Sequence, residues 1–392
     1  MKILLLTSKP IFPIVDGGCR ASHNFLQLLL SGGHNVKNIT VSTNKHPFIK
    51  EAYPQDLFNK IQTVNVFIDT SFKVQNALLA LIKGISYNFE RFNDQKWNDL
   101  VMNEISINHF DVIILDGLYS SGPLPRLIEK YRGKIFIRAH NVEYKIWSQL
   151  SEHSRNPLKK WYYKILSKQL MRIEQKVYSS VEGIITITSE DEKTILNEFS
   201  VKQAFTIPFT QPEVNPKKDY SCCNIFHLGS MNWEPNSEAV RVLINDIYPK
   251  VKKSLPSIKI KIAGSNMDVN KIDDPENGVI AVGFIEDLEK WYQSEGIFVS
   301  PIQSGSGVRI KILEALNYGI PVITTRKGAS GIPDEGQMLI VESNDEIVEK
   351  VIALSTNESL RKELGQKATQ FIQDHYSVEQ TSNRLNTFLN GG

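Results

Sequence analysis

Residues 301–321 bring together residue types that can bind an anion. They read Pro-Ile-Gln-Ser-Gly-Ser-Gly-Val-Arg-Ile-Lys-Ile-Leu-Glu-Ala-Leu-Asn-Tyr-Gly-Ile-Pro. This pattern predicts the end of a buried strand, a glycine-rich turn, an amphipathic helix and a second strand at 321–325. Gly305 and Gly307 allow the backbone to come close to a ligand, because neither carries a Cβ. The first turn of the helix attracts negative charge through its unpaired N–H groups and its dipole.

Charged side chains in the same stretch favour a phosphate ligand. Arg309 and Lys311 add two positive charges at the start of the predicted helix, where cations are locally unfavourable. We therefore expect an anion to bind there. Glu314 follows about one helical turn later, where its carboxylate can accept a hydrogen bond from a ribose hydroxyl. The stretch predicts a pocket for a nucleoside diphosphate.

The elements around this stretch predict an α/β fold with parallel sheets, because short apolar runs alternate with amphipathic segments along the chain. A chain of 392 residues is long enough for two domains. Residues 208–221 carry three prolines and little apolar content, so we expect one domain at 1–210 and a second at 211–375. The glycines at 17–18 and at 305–307 both follow strands. We expect them to face a cleft between the domains, since ligands bind beyond the carboxyl ends of parallel strands.

Composition excludes several classes of protein. Lys and Arg number 45 against 43 Asp and Glu, a net charge of +2, so no general attraction to nucleic acid is expected. Three cysteines, two of them adjacent, are no disulfide framework and fit a reducing compartment. The apolar run at 3–6 is too short for a signal peptide or a membrane span. These features predict a cytoplasmic protein.

Four segments share motifs with a known enzyme family. They are Gly17-Gly18, residues 229–236 (Gly-Ser-Met-Asn-Trp-Glu-Pro-Asn), residues 283–288 (Gly-Phe-Ile-Glu-Asp-Leu) and residues 305–323. They resemble the retaining glycosyltransferases of family four, the glycosyl transferases group one. The resemblance implies a GT-B architecture, in which two Rossmann-like domains face each other across a cleft. The C-terminal domain would bind a nucleotide-sugar donor and the N-terminal domain an acceptor. The final helix, residues 376–392, would pack back on the N-terminal domain.

The resemblance also implies roles for individual residues. Glu314 would bind the ribose, and the backbone around Gly283 and Phe284 would hold the nucleobase. The loop at Gly17-Gly18 would close on the diphosphate and the sugar. His140 would be the catalytic histidine near the sugar and the attacking hydroxyl. The other donor-binding residues in this assignment are Gly229, Gly305, Ser306, Gly307 and Val308.

Two positions depart from the family pattern. Ser306 stands eight residues before Glu314, where the family has a first glutamate. The segment 229–233 lacks the usual basic pair. We expect Arg309 and Lys311 to take over as catalytic charges that stabilise the departing diphosphate. No Asp-x-Asp occurs in the chain, so neither a metal nor another cofactor is predicted.

Residues 156–181 predict a long amphipathic helix with a basic face. The basic residues recur every four positions: Lys160, Lys164, Lys168, Arg172 and Lys176. Apolar residues, including Leu158 and Trp161, form the opposite face. One interpretation is a helix packed on the sheet with its basic side in solvent. The other is contact with an anionic membrane surface or with a phosphorylated, lipid-linked acceptor. The sequence leaves both open.

These features together predict a metal-independent, retaining glycosyltransferase that is cytoplasmic or peripheral on the inner face of the membrane. It would move a sugar from a UDP- or GDP-linked donor to a glycan or lipid-linked acceptor in cell-surface polysaccharide synthesis. Two alternatives stay open. One is an epimerase or phosphorylase of the same fold. The other is a nucleotide-sugar binding subunit with weak catalysis, suggested by Ser306.

Overall fold

The computed structural model describes residues 1–82, 84–154, 156–214, 218–305 and 307–391. The chain forms two compact units: Met1–Thr210 together with Thr381–Gly392, and Gln211–Gln380. The boundary after Thr210 lies inside the proline-containing segment 208–221. Each unit is a parallel sheet covered by helices, which confirms the predicted α/β class.

The first unit contains a sheet of seven parallel strands in the order β3-β2-β1-β4-β5-β6-β7. The strands are β1 Lys2–Thr7, β2 Asn35–Ser42, β3 Val64–Phe67, β4 Val112–Asp116, β5 Lys134–Ala139, β6 Gly183–Thr186 and β7 Ala204–Thr206. The central strands are continuous apolar runs because both faces of the sheet are covered. Leu4, Leu5 and Leu6 have no exposed surface at all, and each such side chain contributes about 1.5–3 kcal/mol through burial.

Ten helices belong to the described part of this unit. They are α1 Gly17–Ser31, α2 Gln55–Ile61, α3 Val74–Ile82, α4 Tyr87–Glu90, α5 Gln95–Ile107, α6 Leu124–Lys130, α7 Glu143–His153, α8 Pro157–Tyr178, α9 Ser189–Glu198 and, from Thr381 onward, α17 Val378–Asn390. The last of these packs on the sheet, where the ring of Phe388 lies 5.4 Å from that of Phe136 and 5.3 Å from that of Phe205.

The second unit repeats the arrangement with six parallel strands in the order β10-β9-β8-β11-β12-β13. They are β8 Ile225–Leu228, β9 Ile260–Ala263, β10 Val279–Gly283, β11 Ile297–Ser300, β12 Val322–Thr325 and β13 Leu339–Val341. Its helices are α10 Glu234–Val242, α11 Tyr248–Ser254, α12 Val269–Ile272, α13 Leu288–Ser294, α14 Ile310–Asn317, α15 Asn344–Thr356 and α16 Glu358–Tyr376. A π-helical segment, Leu243–Ile247, joins α10 to α11.

Both sheets reverse their strand order in the middle, between β1 and β4 in the first unit and between β8 and β11 in the second. In open parallel sheets the loops diverge at such a point and leave a crevice at the carboxyl edge. The residues that follow these four strands are therefore the first place to look for a site. No helix in the described part of the chain is long and apolar enough to span a bilayer.

Candidate functional site

In the first unit, a buried carboxylate lies at the carboxyl end of β4. Asp116 is the last residue of that strand, and its side chain is fully buried. Its register partners are Thr7 on β1 and Arg138 on β5. Because Asp116 and Arg138 are neighbours on adjacent strands, Arg138 Nη1 donates to Asp116 Oδ1 at 2.9 Å. Ser22 on α1 donates to the second carboxylate oxygen at 2.5 Å.

His140 joins this cluster from the loop after β5. Its Nε2 lies 2.7 Å from Asp116 Oδ1. An ionised carboxylate can only accept, so Nε2 carries a proton in this contact, and Nδ1 is an acceptor whenever the imidazole is neutral. Arg138 Nη1 also lies 3.1 Å from Nε2. Burial opposes ionisation of Asp116, but the positive charges of a protonated His140 and of Arg138 outweigh it and hold the pKa of Asp116 well below its ordinary value. The carboxylate thus fixes the orientation of His140.

The guanidinium of Arg138 is closed off from solvent. Only 2% of the Arg138 side chain is exposed, and its charged group lies 4.6 Å from the centre of the Phe25 ring on α1. A buried cation that lacked a partner would be very unfavourable. Asp116 and Arg138 therefore neutralise each other's charge. His140 is partly exposed, so it is the member of the cluster that can contact a ligand.

Gly17 and Gly18 do not lie in a loop, as predicted, but are the first two residues of α1. The reason is the N-cap, Asp16, whose side chain accepts a hydrogen bond from the N–H of Cys19 at 2.8 Å. A Cβ on Gly18 would collide with the ammonium group of Lys9, which in turn is paired with Asp16 at 2.7 Å. The two glycines are therefore the first residues of a helix that begins next to Lys9, beyond the carboxyl end of β1.

In the second unit, Gly305 and Gly307 form a tight turn after β11. Both have positive φ, +93° and +79°, a conformation that favours glycine. Arg309 holds this turn together: Nη1 donates to the carbonyl of Gly307 at 2.6 Å and Nη2 to that of Ser304 at 3.2 Å. Its guanidinium lies 4.8 Å from the ring centre of Trp233, which follows β8. Arg309 thus joins the two loops that flank the β8–β11 reversal.

The helix after this turn is α14, and Arg309 is its N-cap. Burial lowers the pKa of Arg309 to about 10, so it still carries its charge at neutral pH. Lys311 lies 3.2 Å from Glu314 one turn later. Tyr292 donates to the same carboxylate at 3.0 Å. Glu314 is therefore fixed in a buried position by a lysine and a tyrosine.

The remaining predicted donor-binding residues lie around the same edge. Gly229 follows β8 and packs against the side chain of Asn236. Gly283 ends β10 with φ of +79°, and Phe284 next to it is 71% exposed. Val308 is half-buried between the turn and α14. Ser306 lies outside the described residues.

Three residues without a predicted role also belong to these clusters: Asp116, Trp233 and Tyr292. Asp116 carries a signal in the sequence, since it is a carboxylate that directly ends an apolar strand. Trp233 lies in a segment that resembles the family but was given no function. Tyr292 contacts Glu314 from α13, and no local pattern marks that contact.

The basic helix is α8, which begins at Pro157 with Asn156 as its N-cap. Lys160, Lys164 and Lys168 are all exposed, as both interpretations of the sequence require. The prediction of a packed apolar face is wrong for its first turns, where Leu158 is 77% and Trp161 58% exposed. These turns contact α7, where the rings of Trp147 and Tyr163 lie 5.6 Å apart, and fully buried apolar side chains begin further along, with Leu166 and Leu170.

In the part of the chain that the structure describes, no group of three or more His, Cys, Asp or Glu side chains could hold a metal ion. The cysteines at 19, 222 and 223 are free thiols.

Comparison with protein families matches residues 223–357 to the model of Glycosyl transferases group 1. We call these residues the group 1 region. The group 1 region runs from just before β8 to the end of α15, and it contains the glycine turn, Arg309, Lys311 and Glu314.

Relatives match the whole chain or a part of it. An uncharacterized 44.6 kDa protein in the cps region of Klebsiella pneumoniae is 25% identical over 387 residues, covering 96% of both chains. A poly(ribitol-phosphate) alpha-N-acetylglucosaminyltransferase of Staphylococcus aureus is 26% identical over 212 residues, 51% of this chain and 42% of that protein. The capsular polysaccharide biosynthesis glycosyltransferase CapM of Staphylococcus aureus is 28% identical over 179 residues, 42% of this chain and 47% of that protein.

Solved structures with the same fold cover the whole chain. TarM superposes with a TM-score of 0.66 at 14% identity, covering 100% of this chain and 99% of TarM. Anabaena HepE in complex with UDP gives a TM-score of 0.67 at 11% identity, with 100% of both chains covered. The fold of the chain is therefore GT-B, with two Rossmann-like units.

Proposed function

We propose that the chain is a glycosyltransferase that moves a sugar from a nucleoside-diphosphate sugar to a glycan or lipid-linked acceptor during synthesis of a cell-surface polysaccharide. The observation that carries the proposal is the Gly305–Gly307 turn with Arg309 and Lys311. It stands at the β8–β11 reversal, inside the group 1 region. The relatives from capsule and cell-wall polymer synthesis support the polysaccharide setting.

The positive charges at this turn suit the departure of a nucleoside diphosphate. The bond between the anomeric carbon and the phosphate oxygen breaks, and negative charge grows on the β-phosphate as it does so. Fixed positive groups that are already in place stabilise such charge most effectively. Arg309 and Lys311 supply them at the first turn of α14. We therefore propose that transfer needs no metal, and activity in the presence of EDTA tests this point.

We propose UDP or GDP as the leaving group, ribose binding by Glu314, and retention of the anomeric configuration. UDP is the first choice, since the HepE structure of the same fold is a complex with UDP. Lys311 and Tyr292 both contact Oε2 of Glu314, so a ribose hydroxyl would bind a carboxylate that these two residues already orient. Retention is supported by the resemblance to family four, and NMR of the product's anomeric proton tests it directly.

His140 is proposed to act on the attacking hydroxyl of the acceptor. Asp116 holds the proton on Nε2, so Nδ1 can accept the hydrogen bond of a hydroxyl group. The new bond joins the acceptor oxygen to the anomeric carbon, and the acceptor's proton leaves with the diphosphate or through solvent. Asp116 and Arg138 are then positioning residues, which touch His140 rather than the substrate.

A thermal-shift screen against nucleoside diphosphates and nucleotide sugars, in EDTA, tests the donor site first. A ligand that binds only the folded state raises the melting temperature by mass action. We expect one base to raise it in wild type and much less in Arg309→Ala. A panel without any shift would contradict the donor pocket, and a shift that requires added metal would contradict the metal-free proposal.

A further inference from the structure

Two helices of the first unit expose large apolar side chains. Phe72 just before α3 is 66% exposed, and Leu79 and Ile82 on α3 are 52% and 75% exposed. In the first turns of α8, Leu158 is 77% and Trp161 58% exposed. Single exposed apolar residues are ordinary on protein surfaces, whereas contiguous groups mark interaction sites.

Within these two segments every charged side chain is basic, since residues 70–89 and 157–173 include no Asp and no Glu. Acidic residues border the first segment, where Asp69 pairs with Lys73 at 3.0 Å and Glu90 lies beside Arg91. The basic character of the surface therefore comes from α8. In the first half of α8 the exposed lysines are Lys159, Lys160, Lys164 and Lys168. Lysines beside tryptophan and leucine on one exposed helix are typical of segments that lie in a membrane interface.

A series of contacts connects the two segments. The ring of Phe72 meets that of Tyr87 edge-on at 5.6 Å, and the guanidinium of Arg91 lies 5.3 Å from the same tyrosine ring. Burial raises the pKa of Tyr162 on α8, and the nearby positive charge of Arg91 opposes this rise. Arg91 therefore contacts the α3 region through Tyr87 and lies near Tyr162 on α8. We call these exposed residues of both segments the apolar–basic surface.

The apolar–basic surface lies at the carboxyl edge of the sheet. α7 begins after the carboxyl end of β5, and Glu174 on α8 accepts hydrogen bonds from the N–H groups of Glu143 and Tyr144 at 2.8 and 3.0 Å. Leu158 precedes Glu174 by about 24 Å along the helix, at about 1.5 Å per residue. The α7–α8 hairpin therefore projects from this edge. α3 follows the carboxyl end of β3.

We propose that the apolar–basic surface binds a bilayer that contains anionic phospholipid. Phe72, Ile82, Leu158 and Trp161 would enter the interface, while the lysines would lie among the phosphate groups. The alternative of a fully solvated basic face does not account for the exposed Leu158 and Trp161. A symmetric contact with a second copy would bring the lysines of one chain against those of the other, which is unfavourable.

Binding in this way would turn the edge that carries His140 toward the membrane. An acceptor with a lipid anchor would then reach His140 without leaving the bilayer. This consequence rests on the proposed function, whereas membrane binding itself does not, because it is measured without donor or acceptor.

Vesicle flotation of the full chain tests the proposal. The vesicles are equimolar phosphatidylglycerol and phosphatidylcholine, compared with pure phosphatidylcholine. We expect binding to the anionic vesicles that weakens with added salt and little binding to the neutral ones. Three lysines near an anionic surface raise the membrane partition coefficient on the order of a hundredfold. A triple variant should therefore bind the anionic vesicles more weakly by about that factor; it combines Lys160→Gln, Lys164→Gln and Lys168→Gln.

A matched control neutralises three exposed lysines on other helices of the same unit, Lys60, Lys130 and Lys193, and should bind nearly as wild type. Two apolar variants, Leu158→Ser with Trp161→Ser and Phe72→Ser with Ile82→Ser, should each reduce flotation at unchanged melting temperature, because these side chains are exposed. Equal losses in the test and control lysine variants would overturn the proposal, as would a wild type that does not float. Sedimentation velocity tests the alternative of a dimer. If the wild type is a dimer and the Leu158→Ser, Trp161→Ser variant is a monomer, the surface binds a second copy instead of a membrane.

Discussion

The two units hold their buried arginines in different ways. Arg138 in the first unit pairs with the carboxylate of Asp116, its register neighbour on the next strand. Arg309 in the second unit donates to the backbone carbonyls of Gly307 and Ser304 and lies over the ring of Trp233. The first arrangement neutralises the positive charge with a full negative charge. The second places the positive charge next to carbonyl dipoles and the face of an indole ring, which carry partial negative charge in place of a full one.

This difference separates a positioning cluster from a binding cluster. Asp116 and Arg138 form a closed pair, so they fix His140 whether or not a ligand is present. Burial lowers the pKa of Arg309, so an anion nearby would favour its charged form. A diphosphate at the first turn of α14 would supply that anion. The two clusters should therefore respond differently to mutation and to ligand.

The largest expected effect is on stability, from Asp116→Ala. Removing one partner of a buried ion pair leaves the other uncompensated, at a cost of about 3–5 kcal/mol. Urea denaturation measures the loss. Asp99→Ala is the matched control, because Asp99 pairs with Arg126 at 2.6 Å on the surface, and little change is expected there. Equal stability of the two variants would mean that Arg138 does not depend on Asp116.

His140→Ala should lower turnover about a hundredfold to ten-thousandfold, the usual contribution of a positioned acid or base. Unfolding free energy should fall less than in Asp116→Ala, because Asp116 keeps Arg138 as its partner. Nucleotide-induced thermal shifts should persist, because the donor turn belongs to the other unit. Turnover close to that of wild type would reduce His140 to a structural residue.

Arg309→Ala should weaken binding of the nucleoside diphosphate about tenfold to a hundredfold, as expected for a hydrogen bond to a charged group. Calorimetric titration measures the affinity. Arg326→Ala provides the control, because Arg326 is an exposed arginine of the same unit that pairs with Glu342 on the surface. An affinity equal to that of wild type would remove the phosphate role of Arg309.

The smallest expected effect is the loss of stability and of nucleotide affinity in Gly305→Ala. Gly305 has φ of +93°, and a Cβ there would lie 2.7 Å from Cζ2 of Trp233. Gly336→Ala shares the backbone cost of roughly 1–3 kcal/mol, since its φ is +80°, but its Cβ would meet nothing within 4 Å. Both variants should lose stability, and only Gly305→Ala should also lose nucleotide affinity. Equal affinities would show that the Trp233 contact does not shape the turn.

Local patterns predicted the parts of the structure that local physics determines. The strand Ile297–Ser300 and the helix Ile310–Asn317 form as expected, because apolar runs and helical periodicity act within a few residues. β3 and β13 were missed. Both are edge strands with half-exposed side chains, so they lack the apolar run that marks a central strand. The helical start at Gly17 was missed because Asp16 caps it.

The contacts that define the candidate site depend on pairing between distant segments. Asp116 meets Arg138 and His140 only through the register of β4 against β5, which the sequence of neither strand specifies. Trp233 reaches Arg309 only because β8 and β11 are neighbours. The exposure of Leu158 and Trp161 depends on where α8 leaves the sheet. Sequence patterns identify the residue types of a site, and the sheet order decides which of them meet.

Transfer of labelled sugar tests the central claim most directly. The donor that gives a thermal shift is supplied with a radiolabelled sugar, in EDTA, to vesicles or envelope fractions that contain candidate acceptors. We predict label in the glycan or lipid fraction, release of an equal amount of nucleoside diphosphate, and neither with His140→Ala. Label that stays on the nucleotide would contradict the account and favour a binding subunit. An altered sugar still attached to the nucleotide would instead identify an epimerase.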